Sequence, residues 1–364
     1  MSFLQLLSGS VVMGPMTKGS NLPYRRLCVE LGTRVTLSEM ALARRLRQKR
    51  RSEFALIRRA PDEPCFGVQL AGNKPEEMAW AAALAEERGA DFVDINLGCP
   101  IDHFTRIGLG ASLARQPGRV RRLVEAMKRG VTRVPVTAKF RLGWDAEHRN
   151  YLDVAKAAAD GGADGLVVHG RTRDARYRRD ADWDAIGEVV RAVAIPVVGN
   201  GDVLFPHDAA AAQARSGCAA VMVARGALIK PWICREIESG RYEDISAEER
   251  LAIYRRYVEL ALQHWGEDDR GRRQVADFAR WHLGFWCRYA PQRPDGTWPG
   301  MQEREPGGFA RTPLEALLAR QDSLAHDWLI DRLMRSEPVE PESAPPPSAD
   351  GDGAGTQEPA EVEG

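Results

Sequence analysis

The stretch Asp91–Pro100, with the sequence Asp-Phe-Val-Asp-Ile-Asn-Leu-Gly-Cys-Pro, organises the rest of the chain. Its apolar residues are typical of a buried strand, and the Gly and Pro that follow indicate a loop at the C-terminal end of that strand. Pro100 favours an extended backbone at Cys99, so the thiol has a defined position at the loop entrance. Most free cysteines are small buried apolar residues. This segment alone therefore leaves a structural role for Cys99 open beside a catalytic one.

Eight short apolar runs of this kind alternate with amphipathic segments rich in Ala, Leu, Glu and Arg. Eight strands alternating with helices over about 230 residues predict an α/β fold of the (β/α)8 TIM-barrel type. A doubly wound open sheet has the same alternation, and periodicity alone leaves it open. The predicted strands are Val11–Met16, Val35–Met40, Cys65–Leu70, Phe92–Leu97, Val134–Phe140, Gly165–His169, Ile195–Gly199 and Ala219–Ala224, and the predicted helices between them are Glu76–Arg88, Arg119–Arg129, Tyr151–Asp160, Trp183–Ala194 and His207–Arg215.

Polar side chains recur at the C-terminal ends of the predicted strands. Each has a structural explanation when taken singly: Gln69 as a satisfied core amide, for example, or His169 as a hydrogen-bonded interior imidazole. Unsatisfied polar groups in a core are costly, however, and the C-terminal ends of barrel strands meet at one face. The recurrence therefore favours one shared site. Its candidate residues are Thr17, Glu39, Gln69, Asn96, Lys139, Arg141, His169, Asn200, Asp202 and Arg225.

Two glycine-containing turns, Gly199–Gly201 and Ala224–Gly226, follow the seventh and eighth strands. Barrels bind phosphate groups there, through exposed backbone N–H groups. A phosphorylated cofactor fits this position, and a lysine such as Lys139 would stabilise the anionic form of a reduced flavin. No Gly-x-Gly-x-x-Gly motif opens a helix after the first strand. These features favour FMN over a dinucleotide.

Charge and cysteine content limit the classes of protein that the chain can represent. Lys and Arg equal Asp and Glu at 51 each, but residues 336–364 hold eight acidic and no basic residues, so the remainder has a net charge of +8. That balance permits a nucleic-acid partner. Six scattered cysteines indicate neither a zinc site nor a disulfide framework. No segment has the ~20 apolar residues of a membrane helix. We therefore expect a cytoplasmic protein with no metal and no membrane association.

The chain divides into three predicted parts: a catalytic barrel over 1–240, a helical domain over 241–335 and a disordered Pro/Glu/Ala/Gly tail over 336–364. In the helical domain, Ser246 and Glu249 form a predicted capping box. The spacing of the aromatic residues Trp281, Phe285, Trp286 and Tyr289 favours a helical core over base stacking. Basic runs suited to RNA phosphates comprise residues 44–51, Arg171 to Arg179, and Arg270 to Arg280.

Seven motifs come from most of the predicted strands: Gly14–Met16, Phe66–Leu70, Ile95–Pro100, Thr137–Arg141, Val168–Arg173, Gly199–Asp202 and Ala224–Gly226. Together they resemble the tRNA-dihydrouridine synthase family over roughly residues 11–335. Residues 21–26, 38–41, 181–183 and 227–232 are most similar to the eukaryotic branch that modifies the variable-loop uridine at tRNA position 47. That branch carries zinc-finger segments ahead of its barrel, which this chain is expected to lack.

The resemblance implies a two-step reaction in which NADPH reduces FMN, and hydride then passes to carbon 6 of a uridine in tRNA while Cys99 protonates carbon 5. The base would leave its stack to reach the barrel, the helical domain would help to orient tRNA, and a monomer is expected. The implied FMN contacts are Pro15, Met16, Thr17, Gln69, Lys139, His169, Asn200, Gly201, Asp202, Ala224 and Arg225, and the substrate contacts are Asn96, Arg141, Arg171 and Arg173.

Two other functions remain open from the sequence. A flavin-dependent reductase or dehydrogenase of a free pyrimidine would explain Cys99 and the phosphate-binding turns, but not the basic runs or the helical domain. A non-catalytic RNA-binding protein would explain the basic runs, but not the convergence of Cys99, Lys139 and His169. Activity on free uridine against tRNA distinguishes the first alternative, and a bound flavin distinguishes the second.

Overall fold

The computed structural model describes residues 2–7, 9, 11–303 and 310–347, and its central feature is a closed parallel barrel. Strand order runs β2-β1-β9-β8-β7-β6-β5-β4, and β2 also pairs with β4, which closes the sheet and excludes the open alternative. The extra short strand β3 pairs with the end of β4. The strands are β1 (Val12–Met13), β2 (Val35–Leu37), β3 (Ala41–Leu42), β4 (Cys65–Ala71), β5 (Phe92–Leu97), β6 (Val136–Arg141), β7 (Gly165–His169), β8 (Val197–Asn200) and β9 (Ala220–Val223). The (β/α)8 prediction is confirmed.

Helices surround the barrel, and the five predicted between strands are confirmed as α5, α8, α9, α10 and α11. Pro residues occupy the first turns of α5, α8 and α11, where the missing N–H costs nothing. The helices are α1 (Phe3–Leu7), α2 (Leu22–Glu30), α3 (Ala43–Arg47), α4 (Arg51–Leu56), α5 (Pro75–Glu87), α6 (Asp102–Arg106), α7 (Ala111–Ala114), α8 (Pro117–Gly130), α9 (Tyr151–Asp160), α10 (Trp183–Ala192), α11 (Pro206–Ser216), α12 (Arg225–Ile229), α13 (Ile233–Ser239), α14 (Ala247–Trp265), α15 (Asp269–Trp286), α16 (Pro313–Leu318) and α17 (Ser323–Met334).

The N-terminal end of the barrel is filled by apolar side chains, including two from α1. Phe3 packs against Phe92 with ring centroids 5.5 Å apart, and Leu7 is buried beside it. A Cβ on Gly165 would lie 2.2 Å from the Phe3 ring, so Gly165 leaves the room that the ring occupies. The helix α1 was not predicted from the sequence. It closes the end of the barrel opposite the polar residues.

The register of the strands brings the predicted polar residues to the other end. Gln69 lies opposite Asp94, Asn96 lies opposite Lys139, and Arg141 lies opposite His169. Because all the strands are parallel, their C-terminal ends share one face of the barrel. The side chains that the sequence placed at strand ends therefore gather there.

The four C-terminal helices α14–α17 pack together against the barrel, with α14 lying on α2. Ser246 caps α14 as predicted: its hydroxyl accepts from Glu249 N–H at 3.1 Å, and the Glu249 carboxylate accepts from Ser246 N–H at 2.9 Å. The predicted aromatic core is also confirmed, because the side chains of α15 and the residues after it are buried: Trp281, Phe285, Trp286 and Tyr289.

The start of the tail that was predicted to be disordered contacts the helical unit. Arg255 donates to the Glu337 carbonyl at 2.7 Å, and Pro341–Ser343 forms a single 3-10 turn near α16. Residues 348–364, the rest of the predicted tail, lie outside the described residues. Within the described ranges, no helix combines the length and apolar character needed to cross a membrane.

Candidate active site

A cavity at the C-terminal ends of β6, β7, β8 and β9 brings together most of the predicted cofactor residues. Arg171, which was predicted to contact the substrate, also lines the cavity. So do three residues that were not predicted: Tyr177, Val203 and Met301. The predicted residues that line it are Lys139, His169, Asn200, Gly201, Asp202, Ala224 and Arg225.

The charge of this cavity is strongly positive. Burial holds the pKa of His169 well below its usual 6.5, so the imidazole is neutral at physiological pH. Neighbouring cations lower this pKa further: Arg141, Lys139, Arg171 and Arg225. A neutral histidine among cations can donate or accept a hydrogen bond without adding a fifth charge. The site suits an anionic ligand.

Asp202 is the acidic centre of the cavity. Its carboxylate pairs with Arg171 and with Arg225, the latter at 3.3 Å, and it accepts from the Gln302 amide at 2.7 Å and from Ala181 N–H at 2.7 Å. Gln302 comes from the loop after α15, so the helical unit contributes to the wall of the site.

Arg171 and the glycine turn after β8 form a part of the same region that is suited to an anion. Arg171 is 2 % exposed, and its Nη1 atom has no hydrogen-bond partner among the described residues. A Cβ on Gly201 would lie 3.7 Å from that atom, so Nη1 stands beside the glycine turn after β8. Gly201 has φ +146°, a conformation that other residues rarely adopt. A buried guanidinium nitrogen without a partner carries a desolvation penalty that a bound anion would remove.

Tyr177 partly covers the cavity. The centroid of its ring lies 3.7 Å from the Arg225 guanidinium and 5.8 Å from that of Arg171. The open space that remains is about 30 Å³, less than a nucleotide needs. A ligand of that size would therefore extend beyond this space, and Tyr177 lies in its wall.

Cys99 follows β5 at the same face of the barrel and is fully buried. Its N–H donates to Asn96 Oδ1 at 2.9 Å, and its carbonyl accepts from Ala111 N–H at 3.0 Å. Asn96 in turn donates to Gln69 Oε1 at 2.8 Å. Gln69 and Asn96, which were predicted for the flavin and the base, thus share one hydrogen-bonded network with the backbone of the cysteine.

Two arginines predicted to contact the substrate connect the cysteine loop to the loop after β7. Arg141 donates from Nε to the Gly98 carbonyl at 2.9 Å and from Nη1 to the Thr172 carbonyl at 3.3 Å. Arg173 pairs with Asp102 at the start of α6, and its guanidinium lies 4.6 Å from the ring centroid of Trp144.

Three predicted cofactor residues, Pro15, Met16 and Thr17, follow β1 at the same face but do not line the cavity. Met16 is buried and donates from its N–H to Ser20 Oγ at 2.9 Å. The basic run over residues 44–51 lies on α3 and the start of α4, with its charged side chains exposed.

Sequence reasoning missed Tyr177, Met301, Gln302 and Asp94. Asp94 lies in the stretch Asp91–Pro100, and its carboxylate in the middle of an apolar strand was the signal available for it. The other three follow no local pattern. They meet the site only through the packing of a loop after β7 and of the helical unit.

The fold and the site define a (β/α)8-barrel protein with a cationic site and a buried cysteine at the C-terminal ends of its strands. The family profile of the dihydrouridine synthases (Dus) matches residues 11–285. The chain belongs to this family.

Two curated relatives illustrate what this chain is similar to. The tRNA-dihydrouridine(47) synthase [NAD(P)(+)] of Cryptococcus neoformans is 40% identical over 338 residues, covering 88% of this chain and 46% of the relative. The tRNA-dihydrouridine(47) synthase [NAD(P)(+)]-like protein of Mus musculus is 39% identical over 341 residues, covering 92% of this chain and 52% of the relative. The chain thus spans about half the length of the curated relatives it matches.

Among solved structures, a 2-naphthoyl-CoA reductase complex aligns with a TM-score of 0.52 at 12% identity, covering 65% of this chain and 51% of the other. An amine oxidase of Pseudomonas geniculata aligns with a TM-score of 0.50 at 16% identity, covering 66% and 50%. At these identities the likeness concerns the barrel fold alone.

Proposed function

We propose that this protein reduces a uridine in tRNA to 5,6-dihydrouridine, using FMN as cofactor and NADPH as electron donor. Membership of the dihydrouridine synthase family and the names of the curated relatives support the reaction and its substrate. The observation that carries the proposal is the cationic cavity with the unpartnered Arg171 Nη1, because it is built for an anion beside the loop of Cys99.

The chemistry of the cavity residues suits FMN at both of its ends, although the nucleotide would extend beyond the open space. Arg171, Arg225 and the backbone of Gly201 would hold the phosphate, and a phosphate oxygen would satisfy Arg171 Nη1. Lys139 and His169 would contact the ring system, where the lysine favours negative charge. When bound, FMN supplies the hydride that is added to carbon 6 of the uracil. The roles of Pro15, Met16, Thr17, Gln69, Asn200, Asp202 and Ala224 toward FMN belong to the same proposal.

Cys99 supplies the proton in this proposal. An ordinary thiol has a pKa of ~8.5, so it holds its proton at neutral pH and can release it to a developing enolate. Asn96 fixes the Cys99 backbone, and Arg141 fixes the carbonyl of Gly98 before it. In this proposal both residues would also contact the uracil. The buried position keeps water from competing as a proton source.

The tRNA would bind across the C-terminal face of the barrel. A uridine in folded RNA must leave its stack to reach a site between barrel loops. Exposed basic side chains on residues 44–51 and in the loop after β7, such as Arg176 and Arg178, would neutralise phosphates, and the partly buried Arg173 would contact the substrate beside them. The helical domain over 241–335 would orient the tRNA. The curated relatives favour the uridine at position 47 as the target.

The compartment proposed for this reaction is the cytoplasm. All six cysteines are free in the structure, as expected of a protein in a reducing environment. Among the described residues, no group of three or more His, Cys, Asp or Glu side chains is arranged to hold a metal ion.

The test is an anaerobic single-turnover experiment on the purified protein supplied with FMN. The flavin is reduced with NADPH, and unmodified tRNA or free uridine is then added while flavin oxidation and dihydrouridine formation are followed together. Flavin oxidation and dihydrouridine formation with tRNA but not with free uridine support the proposal. Product with free uridine favours the reductase of a free pyrimidine, and failure to bind FMN contradicts the enzymatic function.

A matched pair of cysteine variants tests the assignment of the proton donor. Cys99→Ala should retain flavin reduction by NADPH but lose most dihydrouridine formation. Cys287→Ala removes a buried thiol at the end of α15, outside the site, and should leave both half-reactions unchanged. Equal turnover of the two variants would remove Cys99 as the donor.

A further inference from the structure

Asp94 is a buried carboxylate that has no role in the proposed reaction. It is 0 % exposed and lies inside the barrel on β5, opposite Gln69 of β4 and Thr137 of β6. One carboxylate oxygen accepts from Gln69 Nε2 at 2.9 Å, and the other accepts from Thr137 Oγ1 at 2.6 Å. A carboxylate buried at this depth is costly unless it is hydrogen-bonded, so its presence calls for a reason.

The hydrogen bonds that leave Asp94 form a relay with one direction. An ionised carboxylate only accepts, so Gln69 must turn its NH2 group toward Asp94 and its Oε1 toward Asn96. Asn96 then donates to Gln69 and turns its own Oδ1 toward the loop. There Oδ1 accepts from Cys99 N–H at 2.9 Å and from Gly98 N–H at 3.2 Å.

The two ends of the relay require the same orientation of both amides. Backbone N–H groups only donate, so they fix Asn96 Oδ1 from the loop end, while Asp94 fixes Gln69 Nε2 from the barrel end. If Gln69 were reversed, its NH2 would face the NH2 of Asn96. If Asn96 were also reversed, its NH2 would face Cys99 N–H. Either arrangement leaves buried donors without acceptors.

We propose that Asp94 is a positioning residue: by accepting from Gln69 it sets the direction of the Gln69–Asn96 relay and thereby holds the backbone of Cys99 at the site. The role assigned to Cys99 rests on the proposed function. The hydrogen bonds that hold its backbone do not.

The charge around Asp94 supports an ionised carboxylate at neutral pH. Burial raises the pKa of Asp94 to about 6, while the hydrogen bonds from Thr137 and Gln69 and the charge of Lys139 act in the opposite direction. Lys139 lies two residues beyond Thr137 on the same strand. At pH 7.5 the carboxylate therefore serves as the acceptor that the relay requires.

Thiol labelling tests the proposal without depending on catalysis. All six cysteines are free and buried, so each reacts with an alkylating reagent only when its surroundings open. Mass spectrometry reports the labelling rate of each cysteine in the same sample. Loss of global stability would raise all six rates, whereas release of the cysteine loop would raise the rate of Cys99 alone.

Three variants separate the relay from its surroundings. Asp94→Leu keeps a branched side chain but removes both acceptors. Asp94→Asn keeps one acceptor for Gln69 and can donate to the Thr137 hydroxyl, so the relay survives. Thr137→Val removes the other hydrogen bond to Asp94 and leaves the relay untouched, which makes it the matched control.

We expect Asp94→Leu to raise the labelling rate of Cys99 by about tenfold, the factor that corresponds to ~1.4 kcal/mol, with the other five rates unchanged. Asp94→Asn and Thr137→Val should stay within about twofold of the parent, the margin of a neutral change. Gln69→Met removes the hydrogen bond between Gln69 and Asn96 and should raise the labelling rate of Cys99 as Asp94→Leu does. If Asp94→Leu does not fold, the labelling of Gln69→Met tests the proposal in its place.

A relay that positions the proton donor should also lower kcat for dihydrouridine formation in Asp94→Leu and leave KM for tRNA unchanged. Unchanged Cys99 labelling in both Asp94→Leu and Gln69→Met, or an equal rise in Thr137→Val, would overturn the proposal. Absence of dihydrouridine formation in the parent protein would contradict the proposed function and leave the labelling result intact.

Discussion

Replacing Arg171 by Met should weaken FMN binding without unfolding the protein. The substitution removes the unpartnered Nη1 atom that stands beside Gly201, and it removes one of the two arginines paired with Asp202. A hydrogen bond to a charged group contributes ~1.5–3 kcal/mol, so the dissociation constant of FMN should rise roughly 10- to 150-fold. Asp202 keeps Arg225 and Gln302, which limits the loss of stability.

The assay is quenching of FMN fluorescence on titration of the flavin-free protein, with the melting temperature measured in parallel. Arg173→Met is the matched control, because it removes an arginine from the same loop that pairs with Asp102 and does not line the cavity. Its affinity for FMN should equal that of the parent, although its affinity for RNA is expected to fall.

Two results would refute this reasoning. An Arg171→Met variant that binds FMN within about twofold of the parent would show that Nη1 does not meet the phosphate, because ~0.4 kcal/mol is too little for a charged hydrogen bond. An equal loss in Arg173→Met would show that the effect comes from the net charge of the loop. Riboflavin, which lacks the phosphate, should bind the parent and Arg171→Met alike.

Three further predictions concern other parts of the molecule. Cys99→Ala should lower the rate of dihydrouridine formation by about 10²- to 10⁴-fold, the usual contribution of a general acid, while NADPH still reduces the flavin in a stopped-flow trace. Gly165→Ala should lower the free energy of unfolding by about 1–3 kcal/mol in urea titration, because its methyl group would lie 2.2 Å from the Phe3 ring; Gly118→Ala, with nothing within 4 Å, should not destabilise. Burial lowers the pKa of His282 to about 3, so between pH 6.5 and 3 the unfolded chain binds a proton at this residue that the native protein does not bind. The contribution of His282 to the free energy of unfolding therefore falls by ~1.4 kcal/mol for each unit by which the pH is lowered. His282→Gln should make the free energy of unfolding less dependent on pH in this range. An unchanged pH dependence would contradict the low pKa of His282.

The apolar periodicity of the sequence determined the eight barrel strands and the five helices between them, because strand and helix periods are local properties. The loop after β5 and the capping box at Ser246 could also be predicted from the sequence, because each depends on a few adjacent residues. The convergence of Lys139, His169 and Arg225 followed from one topological rule, that parallel barrel strands end at one face.

Only the tertiary structure decided which side chains complete the site and close the barrel. Gln302 meets Asp202 across 100 residues of sequence, and Tyr177 lies over Arg225 through the course of an irregular loop. The helix α1 fills the base of the barrel in a space left by Gly165. No local period marks these contacts. They arise when closure of the sheet and docking of the helical unit bring distant segments together, and their energies depend on that packing.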